Sequence, residues 1–268
     1  MRNLKPGEYF GQQNRRIALG PVLVTDTRYT HPYVDWHYHE NPYFTFLLQG
    51  KISETNQRNT HYLEAGSLLF HNSQDPHTNT MPDVPTRGFH VELSPQWFTE
   101  YQLDINDIEG SLSIQHPRIK QYFNTLFLES FGQDQDVATS LNLLLLDIFS
   151  QLKQPDRQVY AETPTWVKKL KAMLKEPEYQ GFSAKALAQE LGIHAVHLSR
   201  CFHQHFGTSF SRYVRSQRLN DAISLMMNTS LPLGDIAYRC GFFDQSHFIA
   251  NFRQVYQMTP KQFLRKVS

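Results

Sequence analysis

The chain has 268 residues, 40% of them apolar and 19% charged, with 19 Phe and 13 Tyr. That is enough for one large domain or two modest ones, and it excludes wholesale disorder. The net charge of +1 hides an asymmetry: residues 1–159 carry 12 Lys+Arg against 18 Asp+Glu, whereas residues 160–268 carry 14 against 7. A half this basic suits an anionic polymer.

Two cysteines, Cys201 and Cys240, are too few for a disulfide scaffold or a four-cysteine zinc site. No run approaches the roughly 18 apolar residues of a membrane span. The start, MRNLKPGEYFGQQNRR, lacks the apolar stretch of a signal peptide. A cytoplasmic protein without membrane contact is expected.

In chain order, short strands come first, over 21–28, 33–39, 43–49, 51–56, 59–63, 67–71 and 87–93. Turn signals at Gly50, Asn56, Gly66 and NSQDP separate them. Such spacing suggests a sandwich or small barrel. Within it His37 and His39 stand two apart, so both rings fall on one face of a strand. Aromatics crowd the same region: Tyr33, Trp36, Tyr38, Tyr43, Phe44 and Phe46. Half of them must face inward, as in an apolar ligand cavity or any barrel core.

Two helical patterns follow. Pro117 can open the first, where Ile119, Tyr122, Phe123, Leu126 and Phe127 recur at helical spacing. In the second, Leu141, Leu144, Leu145, Ile148 and Leu152 form a stripe suited to a core, with part of it available to a dimer. Residues 153–164, KQPDRQVYAETP, hold two prolines where the charge changes sign and read as a linker.

The basic half is helical and contains a duplicated unit. LAQELGIHAVHLSRCFHQHFGTSFSRYVR from Leu187 pairs with IAYRCGFFDQSHFIANFRQVYQMTPKQFLR from Ile236, and the second copy has one extra residue in its turn. Each copy has a small residue (Ala188, Ala237) where helices cross, a turn glycine (Gly192, Gly241), then a two-faced helix. Leu198, Cys201, Phe202 and Phe206 form the buried stripe of the first; Val196, Ser199, Arg200 and His203 lie opposite. In the second, Phe248, Phe252 and Val255 are expected inside, and Gln245, Ser246, Ile249 and Arg253 outside. A connecting helix over 210–228 spans about 28 Å at 1.5 Å per residue. It can hold two recognition helices about one DNA turn apart.

Residues 165–268 resemble the C-terminal DNA-binding domain of the AraC/XylS family of bacterial transcription regulators. The resemblance rests on LAQELGI, HLSRCF, FSRYVRSQRLNDAISLM and DIAYRCGFFDQSHFIANFRQVYQMTPKQF. It implies base contacts from Val196, Ser199 and Arg200 in the first unit and from Gln245, Ser246, Ile249 and Ala250 in the second. The family usually has arginine at Ala250 and glycine at Gln257. Relatives that repair methylated DNA use an N-terminal cysteine cluster; no cysteine precedes Cys201.

The acidic half resembles the cupin barrel that usually precedes this domain: His-x-His at His37 and His39, then Gly66, Pro76 and His77. In catalytic cupins three histidines and a glutamate hold a metal. The glutamate belongs near Tyr43 or Phe44, neither of which replaces it. His71, His90 and Glu92 are substitutes without motif support. No metal and no cofactor is therefore assigned, and His37, His39, His77 and Tyr43 are assigned to a small-molecule effector.

The fold implied is α+β and multidomain. Residues 1–152 form a cupin-like sensing and dimerising barrel with a helical hairpin, 153–164 a linker, and 165–268 an all-α domain with two helix-turn-helix motifs. The implied function is an effector-responsive regulator that binds promoter DNA as a homodimer and, by family expectation, meets RNA polymerase. A metal-dependent cupin enzyme with a DNA-binding tail, and a constitutive DNA-binding protein, are the competing readings.

Overall fold

A computed structural model describes all residues except 74, 106–107, 109, 133–136, 153–163, 175–182, 207 and 268. The linker expected over 153–164 therefore falls, Pro164 apart, outside the described residues. Among the described residues, eleven strands are followed by helices, with one helix inserted before the last strand. They are β1 (Arg2–Leu4), β2 (Gly11–Leu19), β3 (Val22–Tyr29), β4 (Tyr33–His39), β5 (Tyr43–Gln49), β6 (Lys51–Asn56), β7 (Thr60–Glu64), β8 (Leu68–His71), β9 (His77–Thr80), β10 (Thr86–Leu93) and β11 (Ser111–Ser113). The helices are α1 (Pro95–Glu100), α2 (Pro117–Glu129), α3 (Val137–Leu152), α4 (Thr165–Met173), α5 (Ala184–Glu190), α6 (Ala195–Phe206), α7 (Phe210–Asn228), α8 (Leu233–Arg239), α9 (Gln245–Tyr256) and α10 (Pro260–Val267).

The strands form two sheets, ordered β1-β4-β9-β6-β7 and β11-β8-β5-β10-β3-β2. They face each other as a barrel that does not close. Alternation along β5 decides which side chain goes where. Tyr43, Thr45 and Leu47 point between the sheets, and Leu47 packs there with Val34, Ile52, Leu63 and Leu69. Phe44, Phe46 and Leu48 point to the outer face, where Phe123 of α2 and Phe149 of α3 cover them. Both faces of β5 are thus buried, which explains its nearly unbroken apolar run, YFTFLLQ. Of the six aromatics in this region, half of them expected to face inward, Tyr43 points between the sheets, Phe44 and Phe46 to the helix-covered outer face, and Tyr33 and Trp36 to solvent, at 54% and 38% exposure.

The C-terminal helices divide into two units around α7. The first, α4–α6, has its own small core of Val167, Leu170, Met173, Leu187, Ala188, Leu198, Phe202 and Phe206. The second, α8–α10, shares a core with the first domain: Phe248, Phe252 and Phe263 belong to the same buried cluster as Phe44, Phe123 and Leu145. Polar contacts reinforce this junction. Asn124 donates to Asn220 at 2.9 Å, and Asn220 donates to the Pro117 carbonyl at 2.9 Å. Ser216 donates to Gln121 at 2.7 Å, and Ser224 to the Ala65 carbonyl at 3.1 Å. On β10, Arg87 grips Asp26 through two hydrogen bonds of 2.8 and 2.6 Å and also donates to the carbonyl of Val267 at 3.0 Å.

Among the described residues no helix is long and apolar enough to cross a membrane.

Candidate functional site

Each helix-turn-helix unit is built as its residues require. Gly192 and Gly241 take the left-handed conformation at φ 67° and 75°, which lets the chain reverse between helices. Asp244 caps α9 by accepting from the His247 backbone at 2.7 Å, and Ser209 caps α7 in the same way. On α6, Leu198 and Phe202 are fully buried, while Val196, Ser199, Arg200 and His203 are exposed. On α9, Phe248, Phe252 and Tyr256 are buried, and Gln245, Ser246, Ala250 and Arg253 are exposed.

Three side chains depart from expectation. Cys201 is only half-buried, with its sulfur 3.8 Å from His197 Nδ1 on the α6 surface. Val255 is half-buried, and Tyr256 takes the inner position. Ile249 is half-buried against the shared core instead of standing free. The cause in each case is position at the edge of an apolar stripe, where the neighbouring helix covers one side only. The exposed aromatics Tyr238 and Phe243, at 83% and 91%, flank the second unit and carried no motif signal.

The second site lies between the sheets. Pairing places His37 opposite His77 across β4 and β9, and Tyr43 opposite His71 across β5 and β8. His37, His39, His71 and His77 are all nearly inaccessible, as is Tyr43. His37 Nδ1 donates to the Asp35 carbonyl at 2.8 Å, and His77 Nδ1 to the Asp75 carbonyl at 2.9 Å. These bonds fix the tautomers and leave each Nε2 with a lone pair. The Tyr43 hydroxyl occupies that of His77 at 3.2 Å. His39 Nδ1 has no partner although buried.

Glu54 was not anticipated. The alternation of KISETN on β6 places Ile52, Glu54 and Asn56 on the buried face, and that parity is the signal that could have found it. Its carboxylate lies 3.3 Å from His71 Nδ1, out of line for a hydrogen bond. Of the other substitutes, His90 is engaged at both nitrogens, by Thr25 at 3.1 Å and by the Tyr29 hydroxyl at 2.7 Å. Glu92 accepts from the Gly7 backbone at 2.8 Å and from Asn41 at 3.0 Å.

Burial sets the electrostatics here. It holds His37, His39 and His71 below the ordinary imidazole range and brings His77 and His90 down to about 3. It pushes the Glu54 carboxyl well up. At neutral pH the lumen therefore presents neutral imidazoles, of which His77 is already engaged by Tyr43 and His90 by Thr25 and Tyr29. Ligand atoms of His37, His39 and His77 lie within 4.8 Å of one another, as do those of Glu54, His71 and His77.

The N-terminal segment fills the rest. Tyr9 stacks on His90 with centroids 3.8 Å apart, and Phe10 meets His37 edge-on at 5.1 Å. The cavity left between Tyr9, Phe10, His37, His39, Glu54 and His90 is about 20 Å³.

Residues 19–158 match the family described as the AraC-like ligand binding domain, and residues 187–266 match a helix-turn-helix domain. Among curated proteins, the transcriptional activator RhaS of Escherichia fergusonii is 26% identical over 98% of this chain and 96% of its own length. RhaS of Escherichia coli O139:H28 is 22% identical over 95% and 94%. Among solved structures, ToxT from Vibrio cholerae is 15% identical, covering 93% of this chain and 100% of its own, with a TM-score of 0.39.

Proposed function

The chain belongs to the AraC family of transcription regulators, and from that premise we propose how its parts divide the work. It is a DNA-binding regulator with an effector-binding domain in front of a helix-turn-helix domain. Residues 1–152 are assigned to effector sensing and dimerisation, and residues 165–268 to promoter recognition. The observation that carries this reading is the repeated two-faced helix: α6 and α9 each bury aromatic side chains and turn a polar stripe outward.

On α6, Val196, Ser199 and Arg200 read bases, and His203 supports them near the backbone. Arg200 is suited to bidentate pairing with guanine O6 and N7. On α9, Gln245 and Ser246 offer polar base contacts, Arg253 anchors phosphate, and Ala250 offers only a methyl group to thymine. Ile249, partly committed to the core, adds little. The half-site under α6 is therefore strictly specified and the one under α9 loosely so.

The effector sits in the lumen against His37, His39, His77 and Tyr43, and acts by binding the DNA-competent arrangement more tightly than the other. Leu143 stands 63% exposed on α3 and is available to a second copy. The relatives' designation as activators supports activation; contact with RNA polymerase, a cytoplasmic setting and a role without catalysis complete the proposal.

The test is a binding-site selection with the full chain, followed by affinity measurement across salt. Expected are two unequal half-sites about one helical turn apart and a steep loss of affinity with salt. Half-sites of equal information would overturn the asymmetry, and salt-indifferent binding would overturn the DNA interface.

A further inference from the structure

We propose that Phe243 is a base-reading residue of the second helix-turn-helix unit and selects thymine through its 5-methyl group. This rests on the reading of α9 as a DNA-facing helix, and it adds a residue and a base that the polar stripe of that helix does not supply.

Three observations converge. The first is the split of a Phe-Phe pair. Phe242 is 5% exposed and packs on Phe248 with ring centroids 5.1 Å apart. Phe243 beside it is 91% exposed, the most of any large hydrophobic residue described. One ring closes the core, and the other is turned to the surface, where a polar residue would serve the turn equally well. Single exposed hydrophobes are ordinary on protein surfaces; what marks this one is its place.

The second is how that place is held. The Phe243 backbone N–H donates to His247 Nδ1 at 3.2 Å, and the His247 backbone N–H donates to the Asp244 carboxylate at 2.7 Å. This reciprocal pair closes the first turn of α9 from both sides, in the manner of a capping box. Before it, Gly241 is left-handed at φ 75°, and a Cβ there would meet the Arg218 guanidinium of α7 at 3.2–3.3 Å. The backbone carrying the ring is therefore fixed where the chain enters α9. Residues 243–247 are all exposed, so Phe243 shares its surface with Gln245 and Ser246. In helix-turn-helix proteins this N-terminal end of the recognition helix meets the base edges.

The third is the comparison of the two copies. Before the turn, the register that pairs Ile193 with Phe242 pairs His194 with Phe243. After it, the register that pairs Leu198 with Phe248 pairs Val196 with Ser246. Val196 is 59% exposed near the start of α6. Each recognition helix thus carries one large apolar side chain at its N-terminal end, from a different position in each copy. The apolar feature that the major groove offers to such a side chain is the thymine methyl, which Phe is suited to contact. The excess of Lys and Arg in this half, 14 against 7 Asp and Glu, favours a polyanion as the occupant of the surface. With Ala250 lacking a donor, Phe243 gives the second half-site one specified base.

The experiment takes the full chain and the DNA chosen by binding-site selection, and replaces each thymine of the second half-site in turn with deoxyuridine, which lacks only the 5-methyl group. Expected is one replacement that weakens binding about 4-fold, the worth of one buried methyl group. Phe243→Ala weakens the parent site about 10-fold and makes that replacement silent. Phe243→Leu keeps part of the effect, and Tyr238→Ala, which alters the other exposed aromatic nearby, keeps all of it. The proposal is overturned if no replacement matters, or if the deoxyuridine effect survives in Phe243→Ala protein that melts with the wild type. It is also overturned if Phe243→Ala lowers transcription or dimerisation while DNA affinity and base preference stay unchanged, which would hand the ring to the polymerase or to a second copy. Each of these leaves the reading of α9 standing where Arg253→Ala still reduces the salt slope by about one phosphate contact. A selection that returns a single half-site, with a salt slope indifferent to Arg253→Ala, overturns that reading and this inference with it.

Discussion

The two helix-turn-helix units descend from one repeated pattern yet are supported differently. The α4–α6 unit closes a core of its own, and among its contacts with the first domain His116 Nε2 meets the Phe206 carbonyl at 3.1 Å. The α8–α10 unit has no separate core; its aromatics continue through α7 into α2 and the outer face of the barrel. Equal sequence grammar therefore encodes equal local shape but unequal dependence. A change in the barrel reaches the second unit through packed side chains, whereas it reaches the first mainly through α7.

The sharpest way to break that contrast is to open each core. Phe202→Ala and Phe252→Ala each remove a fully buried ring and should cost about 3–5 kcal/mol. Hydrogen exchange should show Phe202→Ala loosening α4–α6 alone and Phe252→Ala loosening the barrel helices as well. Identical exchange patterns would remove the distinction.

The proposed DNA-facing stripes of α6 and α9 differ in the same way. Arg200→Ala should cost about 1–3 kcal/mol of binding and relax one or two positions of the site, and Gln245→Ala should cost less. Ala250→Arg should sharpen the second half-site in a repeated selection; no change there would mean that α9 does not lie against bases.

A pH test addresses the junction. Asp221 on α7 is raised to about 6, chiefly by burial, with Gln217 donating to it, Lys120 facing it and Glu64 opposing it. Its folded pKa lies above the unfolded value, so the fold favours the protonated form. The penalty of holding the carboxylate is present at pH 7 and above, and it is relieved as pH falls through 6 toward 4. Asp221→Asn should therefore stabilise the protein at pH 7.5 by about 2 kcal/mol, and the gain should vanish near pH 4. A pH-independent gain in thermal melts would assign it to another cause.

The smallest effect concerns Gln257, which ends α9 in the left-handed region at φ 55°. Gln257→Gly should stabilise the second unit by about 0.5–1 kcal/mol, as seen in its melting temperature.

Much of this was legible beforehand. The connecting helix was expected over 210–228 and occupies Phe210–Asn228, because capping Ser209 and a long run without Gly or Pro mark it clearly. Gly192 and Gly241 announced both turns. Strands whose side chains are polar were not legible. Edge strand β2 reads GQQNRRIAL and is mostly exposed along one side, while β9 reads HTNT because it lines the lumen. Neither gives an apolar alternation. Glu54 escaped for a related reason: a buried carboxylate resembles a solvent-facing one until the strand's partner is known. The shared core was out of reach because nothing in a repeat says what its outer surface will meet.

The helix α7 has a mechanical consequence. Its 19 residues make a rod of about 28 Å, gripped along one flank by α2 through Asn220 and Ser216. It is a lever with its fulcrum on the barrel. A tilt of about 5° carries one end of such a rod about 2.4 Å relative to the other, comparable with the roughly 3.4 Å rise of one base step. On the proposed reading of α6 and α9, a shift in the barrel too small to alter either helix would change whether the two fit neighbouring grooves at once, and DNA register would be the quantity that responds.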